Sequence, residues 1–209
     1  MQDFETEEQQ IEAIKKFWKE NGTAIILGAV LGLGGLWGWR WYSDGVIESK
    51  EQASIEYQKV VDDLAKDGTS ISSGVEFVES TDNSGYATLA ALQIAKEAVE
   101  REDLAEASKQ LKWAADNSGD DVLQSVANIR LARVLKQQKN YDDALSTLDA
   151  VTQDAFSARV NEIKGDIYQA QGNVDKARVA YSTAIEGNEN NTLVQMKLDN
   201  LASESVDGE

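Results

Sequence analysis

Hydrophobic residues change their pattern along this chain of 209 residues, and the first pattern is nearly continuous. Residues 23–42 run TAIILGAVLGLGGLWGWRWY, and Arg40 is the only charged residue among them. A helix of about 20 residues is roughly 30 Å long, which matches the hydrocarbon core of a bilayer. Aromatic residues cluster at 37–42, and Phe17 and Trp18 precede the other end, as in the aromatic belts of membrane helices. The pattern predicts a transmembrane helix over residues 23–42.

Two alternative explanations of this segment are a cleaved export signal and a buried core helix. An export signal begins with a short positive stretch, whereas residues 1–22 carry six carboxylates and three lysines, and no A-x-A cleavage motif follows. A buried core helix is usually shorter. The lysines, Lys15, Lys16 and Lys19, closely precede the apolar segment. The positive-inside rule therefore predicts that residues 1–22 lie in the cytoplasm and that the C-terminal end lies outside it.

Glycines recur within the apolar segment at a regular interval. Gly28 and Gly32 are four residues apart, and so are Gly34 and Gly38. This spacing allows two membrane helices to pack closely against each other. Glycine is also common in membrane helices that have no such contact. A helix-packing face and simple tolerance of glycine in lipid are therefore both open interpretations.

Beyond residue 42 the apolar positions adopt a helical period. Positions 46, 50, 53, 57, 60 and 64 alternate steps of four and three, and all but Lys50 are apolar or aromatic, which predicts a long amphipathic helix. Polar breaks containing glycine follow at residues 66–74 and 80–85, with a short helix around residues 75–79 between them. Residues 43–85 are therefore predicted to form a helical linker and the first helices of a folded domain.

A repeated pattern occupies residues 86–202. The clearest copy is GDIYQAQGNVDKARVAYSTA, which begins at Gly165 and has small and aromatic residues at six positions of the tetratricopeptide pattern. Two earlier copies align with it on Ala144 and Ala107. The key alanines of the three copies are 37 and 33 residues apart. Small residues let two antiparallel helices approach closely, and larger ones fill the space beside them. The residues predicted to pack the repeats are Ala95, Ala107, Ala132, Ala144, Gly165, Tyr168, Ala177, Tyr181 and Ala184.

The predicted fold is all-α, with a single N-terminal transmembrane helix followed by a tetratricopeptide-like helical solenoid. Each repeat buries too little surface alone, so neighbouring repeats must stack. The pattern is degenerate, because the tryptophan and proline usual in such repeats are missing from their positions. Residues 192–202 are predicted to form a closing helix, and residues 203–209 an acidic disordered tail.

Composition removes several classes of function. A formal net charge of −17 opposes binding to nucleic acid phosphates, so no nucleic acid partner is expected. The chain has no cysteine, histidine or proline, which removes the commonest general base and the commonest transition-metal ligand. No phosphate-binding loop, dinucleotide fingerprint or nucleophile elbow occurs, and the loop at 116–121 has its glycine at the wrong place for calcium. We expect no catalytic residues, no metal and no cofactor.

Stacked helix pairs present a concave surface lined by the first helix of each pair, which suits protein binding. In the repeat frame this face holds Leu89, Leu92, Lys96, Val99, Val126, Ile129, Arg133, Lys136 and Arg159. Apolar side chains with a few cations suit extended, unfolded polypeptide. The alternative is that the leucines, Val126 and Ile129 belong to the buried core. The cation and asparagine pattern that clamps a terminal carboxylate in other tetratricopeptide domains is missing.

The chain resembles the YfgM family of bacterial inner-membrane proteins, ancillary subunits of the SecYEG translocon. The resemblance is carried by FWKENG and GLWGWR around the apolar segment and by YATLAALQIA, NIRLARV, ALSTLD and QMKLDNLA in the repeats. It implies a periplasmic C-terminal domain and, as partners, SecYEG and the membrane-anchored periplasmic chaperone PpiD. It also implies a role in passing unfolded exported polypeptides to periplasmic chaperones. The residues alone also allow an assembly scaffold for another envelope complex, or a regulator that acts through its cytoplasmic segment.

Overall fold

The computed structural model describes residues 7–66, 71–81, 84–188 and 190–204, and the regular structure within these ranges is helical. The helices are α1 (Glu7–Lys66), α2 (Ile71–Ser80), α3 (Ser84–Glu100), α4 (Leu104–Asn117), α5 (Asp121–Gln137), α6 (Tyr141–Asp149), α7 (Ser157–Ala170), α8 (Val174–Gly187) and α9 (Thr192–Glu204). A 3-10 turn at Asp154–Phe156 precedes α7. The chain divides into two compact units, Met1–Glu51 and Gln52–Glu209. The predicted all-α class is confirmed.

The first unit contains the apolar part of α1. Among the described residues this is the one helix that is long and apolar enough to cross a membrane. Its large side chains are turned outward, and Leu33, Leu36 and Trp37 are between 68% and 76% exposed. A core helix would bury such side chains, because their transfer from water stabilises the fold. The outward side chains therefore favour a membrane helix over a core helix.

The helix α1 is much longer than the apolar segment within it. It begins at Glu7 and ends at Lys66, so the predicted membrane segment at 23–42 and the amphipathic helix predicted over residues 46–64 form one continuous helix. The chain has no proline to interrupt it, and the flanking residues are rich in glutamate, lysine, glutamine and alanine, which favour helix. A change from apolar to polar composition marks a change of environment here, not the end of the helix.

In the second unit, consecutive helices pack against one another from α2 to α9. Three helix pairs, α3 with α4, α5 with α6, and α7 with α8, carry the three predicted repeats. Buried side chains form a first cluster shared by the end of α1 and by α2 to α5, a second shared by α5, α6 and α7, and a third on α8 and α9. Because the first two clusters join neighbouring pairs, stacking between repeats buries the core.

The same tight turn joins the helices of each pair. The backbone φ is positive at Glu102 (64°), Lys139 (64°) and Gly172 (76°), which stand 37 and 33 residues apart like the key alanines. In each turn the next residue donates its N–H to a carbonyl five residues back, at 2.8 or 2.9 Å. This bond closes the first helix of the pair with a Schellman-type cap. The turn therefore recurs at the period of the repeat.

The residues predicted to pack the repeats lie between the paired helices. Ala95, Ala107, Ala132, Ala144, Gly165, Ala177, Tyr181 and Ala184 are buried, and Tyr168 is half-buried. Gly165 on α7 faces the ring of Tyr181 on α8 so closely that an added Cβ would overlap the ring. The small residue is thus what allows α7 and α8 to approach each other.

Several predicted boundaries differ from the structure. In the second predicted break, at 80–85, Ser80 belongs to α2 and residues 84–85 belong to α3. Residues 71–74, assigned to a polar break, belong to α2, and Gly74 is buried. A Cβ at Gly74 would lie 2.9 Å from the side chain of Ile94, so this glycine permits close packing and does not end a helix. At the other end, α9 continues to Glu204, two residues into the predicted tail. Some predicted segments lie partly outside the described residues, namely residues 1–6 of the cytoplasmic segment, 67–70 and 82–83 of the two breaks, and 205–209 of the tail.

Candidate functional site

An open cleft of about 350 Å³ lies between α3, α4 and α5. Its floor is apolar and its rim is charged. The residues that line it are Leu92, Ala95, Lys96, Val99, Glu100, Leu111, Arg130, Arg133, Val134 and Gln137. The positions on α5 follow the helical steps 130, 133, 134 and 137, which place them on one face of that helix. The cleft is therefore built by the first helices of two neighbouring pairs.

Four residues of the predicted binding face line this cleft, namely Leu92, Lys96, Val99 and Arg133. Leu92 is buried, whereas Val99 is 37% exposed. Arg130, Val134 and Gln137 are absent from the predicted face. Arg130 and Gln137 stand three and four positions from Arg133, and Val134 stands four from Arg130, so helical spacing places all of them on one face.

The other predicted face residues lie elsewhere. Ile129 is buried in the cluster shared by α5, α6 and α7, and Val126 is half-buried. Leu89 is 37% exposed near the start of α3 and does not line the cleft. Lys136 and Arg159 take part in an ionic network on α7. The structure therefore brings together only part of the predicted face.

The ionic network is centred on two carboxylates of α7. Glu162 is 5% exposed, and its oxygens lie 2.6 Å from Arg159 Nη1 and 3.1 Å from Lys197 Nζ. Asp166 lies 2.7 Å from the same Lys197 Nζ and 3.9 Å from Lys136 Nζ. Buried carboxylates need such partners, because an unpaired buried charge is strongly unfavourable. The network neutralises this part of the surface and joins α9 to α7.

Tyr181 extends the network from α8. Its hydroxyl donates to Asp166 Oδ1 at 2.8 Å and lies 3.0 Å from Gln169 Oε1. Burial raises the pKa of Tyr181 well above its ordinary value, and the hydrogen bond to Asp166 raises it further. The phenol is thus held as a neutral hydrogen-bond donor, which is a structural role.

The charges on the rim of the cleft differ in how they are paired. Lys96 lies 3.6 Å from Glu100 on the next turn of α3. Among the described residues, neither Arg130 nor Arg133 forms an ion pair. Burial lowers the pKa of Arg133, and the nearby charge of Arg159 lowers it further. Glu162 and Asp166 act in the opposite direction, yet the rim on α5 carries two guanidinium groups that have no direct ion-pair partner among the described residues.

The described residues hold no group of three or more histidine, cysteine, aspartate or glutamate side chains placed to bind a metal. The acidic loop at 116–121 has other roles. Asp116 lies 3.0 Å from Lys112, and Asp120 accepts hydrogen bonds from the N–H groups of Val122 and Leu123 at the start of α5. These carboxylates serve as an ion-pair partner and as a helix cap. What the arrangement offers chemically is a surface for noncovalent binding.

Fold and site together define a class: a tetratricopeptide-like helical-repeat protein with an open cleft on its repeats and, within the described ranges, one candidate membrane helix. A family model described as a tetratricopeptide repeat-like domain matches residues 15–203. The chain is similar to the ancillary SecYEG translocon subunit of Escherichia coli (strain K12), with 33% identity over 205 residues, which are 97% of this chain and 100% of the relative. It therefore belongs to the family of ancillary SecYEG translocon subunits (YfgM), as the sequence predicted.

Other relatives carry the same description. The subunit of Haemophilus influenzae (strain ATCC 51907 / DSM 11121 / KW20 / Rd) is 36% identical over 198 residues, covering 93% of this chain and 97% of the relative. The subunit of Aggregatibacter actinomycetemcomitans gives the same identity and coverage. Both alignments are too long to be carried by the repeats alone, so the similarity includes the N-terminal region.

Proposed function

We propose that this protein is a membrane-anchored ancillary subunit of the SecYEG translocon. The observation that carries the proposal is the match over 97% of this chain to a protein described as such a subunit. The candidate membrane helix in α1 supports it, because a translocon subunit works at the membrane. Enzymatic activity is not part of the proposal, and the relatives are described as translocon subunits.

The proposed location is the bacterial inner membrane, with the N-terminus in the cytoplasm and the repeats in the periplasm. Lys15, Lys16 and Lys19 support this orientation through the positive-inside rule. With this topology the cleft faces the compartment into which exported chains emerge. The repeats then act as a chaperone-like scaffold that receives unfolded exported polypeptides and passes them to periplasmic chaperones, with PpiD as the membrane-anchored partner.

The apolar cleft on α3, α4 and α5 supports the polypeptide-binding part of this proposal. Its floor offers apolar side chains, and its rim offers cations that contact backbone carbonyls or acidic side chains. Anchoring supports the scaffold part. Confining two partners to one membrane raises their effective concentration, so a weak periplasmic contact is enough for a stable complex.

Co-purification from mild detergent tests the proposal. The tagged intact chain is expected to retain SecY and PpiD, and a variant with polyleucine in place of residues 23–42 is expected to retain part of each. A tagged, unrelated single-span protein expressed at the same level serves as the control. Recovery of SecY no greater than with that control would contradict the proposed association. Recovery of SecY without PpiD would contradict only the chaperone partner, and recovery of another envelope complex alone would favour a different scaffold.

A further inference from the structure

The two ends of the predicted binding face differ in how their charges are satisfied. On α7 and α9, cations and carboxylates neutralise one another: Arg159 and Lys197 contact Glu162, and Lys197 also contacts Asp166. On α5, the guanidinium groups of Arg130 and Arg133 have no ion-pair partner among the described residues. Two arginines without an ion-pair partner therefore stand one helical turn apart on the cleft side of α5, in a chain whose formal net charge is −17.

Apolar surface lies directly beside these two arginines. The cleft is lined by Leu92 and Val99 from α3, Leu111 from α4 and Val134 from α5. Its volume of about 350 Å³ is within the range of sites that bury small ligands or a few side chains. The site thus combines an apolar floor with two adjacent guanidinium groups one helical turn apart.

The electrostatics favour a carboxylate as the ligand of this rim. Arginine binds carboxylates through parallel N–H donors, which makes the pair geometrically specific. Partial burial lowers the pKa of Arg133, and the charge of Arg159 lowers it further, whereas Glu162 and Asp166 raise it without forming an ion pair with it. A bound carboxylate would offset the two lowering effects, whereas a second cation would increase them.

We propose that this cleft binds a polypeptide segment in which apolar side chains stand next to acidic ones. The apolar side chains occupy the floor formed by Leu92, Val99 and Val134, and the carboxylates bind Arg130 and Arg133. On the opposite rim Glu100 is paired with Lys96, so the unpaired positive charge of the cleft lies on α5 and directs the acidic side of the segment there. The inference rests on the proposed function, because it names the class of exported segment that the scaffold receives.

Peptide binding to the full chain in lipid nanodiscs tests the inference. The probe is a short fluorescent peptide that contains two leucines and two glutamates with serines between them. Its ends are acetylated and amidated, so the glutamates supply its carboxylates. One comparison peptide has lysine in place of glutamate, and another has serine in place of leucine. The glutamate peptide is expected to bind at least about tenfold more tightly than either, and more weakly at high salt. Equal affinity for the lysine and glutamate peptides would overturn the inference.

Variants locate the binding on the chain. R130Q/R133Q is expected to lower the affinity for the glutamate peptide at least about tenfold. The control K109Q/K139Q loses the same charge at exposed positions away from the cleft, and its affinity is expected to stay within about twofold of the unchanged chain. Val99→Glu places a repelling charge at the cleft, and Val122→Glu, at a 51% exposed position outside it, is its control. If a cleft variant and its control lose the same affinity for the glutamate peptide, in either comparison, the inference is overturned.

Two further outcomes separate this inference from other possibilities. Binding of dodecanoate without measurable binding of the glutamate peptide would overturn it in favour of a lipid ligand. Retention of SecY by R130Q/R133Q during co-purification is expected, because the cleft binds the client and not the translocon. If the peptide fails to bind while SecY is still retained, the cleft assignment is wrong and the proposed translocon subunit stands.

Discussion

Three residues hold the same left-handed backbone conformation at the turns between paired helices, and only one of them is glycine. At Gly172 the sequence predicts the turn, because glycine readily adopts a positive φ. At Glu102 and Lys139 the residue type does not predict the turn, because glutamate and lysine rarely adopt a positive φ. The repeat frame makes these two positions predictable. Glu102 and Lys139 are 37 residues apart, and Lys139 and Gly172 are 33 residues apart, which are the spacings of the key alanines.

Glycine at the two non-glycine turns is expected to stabilise the domain. A left-handed conformation costs an L-residue roughly 1–2 kcal/mol, and the extra freedom of glycine in the unfolded chain offsets part of the gain. Lys139→Gly should therefore raise the free energy of unfolding by about 0.5–1 kcal/mol. Lys109→Gly, in the interior of α4, should lower it by about 1 kcal/mol. Urea unfolding followed by circular dichroism measures both, and a loss of stability in Lys139→Gly would contradict the account.

The elements show where sequence patterns suffice and where they do not. The helix pairs were predictable because the small residues at Ala107, Ala144 and Ala177 repeat at a fixed register and are fully buried. Gly74 was misjudged, because a glycine that ends a helix and one that lets two helices touch look the same in a sequence. The contact between Lys197 and Glu162 joins residues 35 positions apart, and no local period contains that information.

The ionic network makes α9 part of the fold. Lys197→Met leaves Glu162 buried with Arg159 as its remaining close cation, so the variant is expected to lose about 1–3 kcal/mol of unfolding free energy. Lys109→Met, at an exposed position on α4, should change stability by no more than about 0.5 kcal/mol. Adding Glu162→Gln to Lys197→Met should restore part of the loss. Urea unfolding measures all three, and equal stability of the two lysine variants would show that the network does not hold α9.

The binding cleft was only partly predictable, for a related reason. Leu92, Val99 and Arg133 were identified because the repeat frame orients the first helix of each pair. The pairing state of the charges depends on distances between helices, so the frame could not distinguish the neutralised Lys136 from the unpaired Arg130. A sequence pattern predicts which face of a helix a residue occupies, but only the packing of the helices determines which charged groups have no ion-pair partner.

In the proposed topology, α1 crosses the membrane and the helical repeats lie on its periplasmic side. The chain has no cysteine, so single introduced cysteines report topology cleanly. In intact spheroplasts a membrane-impermeant maleimide should label Lys112→Cys, and it should label Lys16→Cys only after permeabilisation. The cysteine-free chain is the control. The reverse pattern would contradict the proposed orientation.

The most direct test of the central claim is a site-specific photo-crosslink made during export. A photoreactive residue is placed at Val99, on the rim of the cleft, or at Val122, which is exposed outside it, in the otherwise intact chain. An exported polypeptide is then stalled in the translocon of living cells and the sample is irradiated. The account predicts an adduct with the stalled polypeptide from position 99 and little or none from position 122. No adduct from position 99, or equal adducts from both positions, would contradict it.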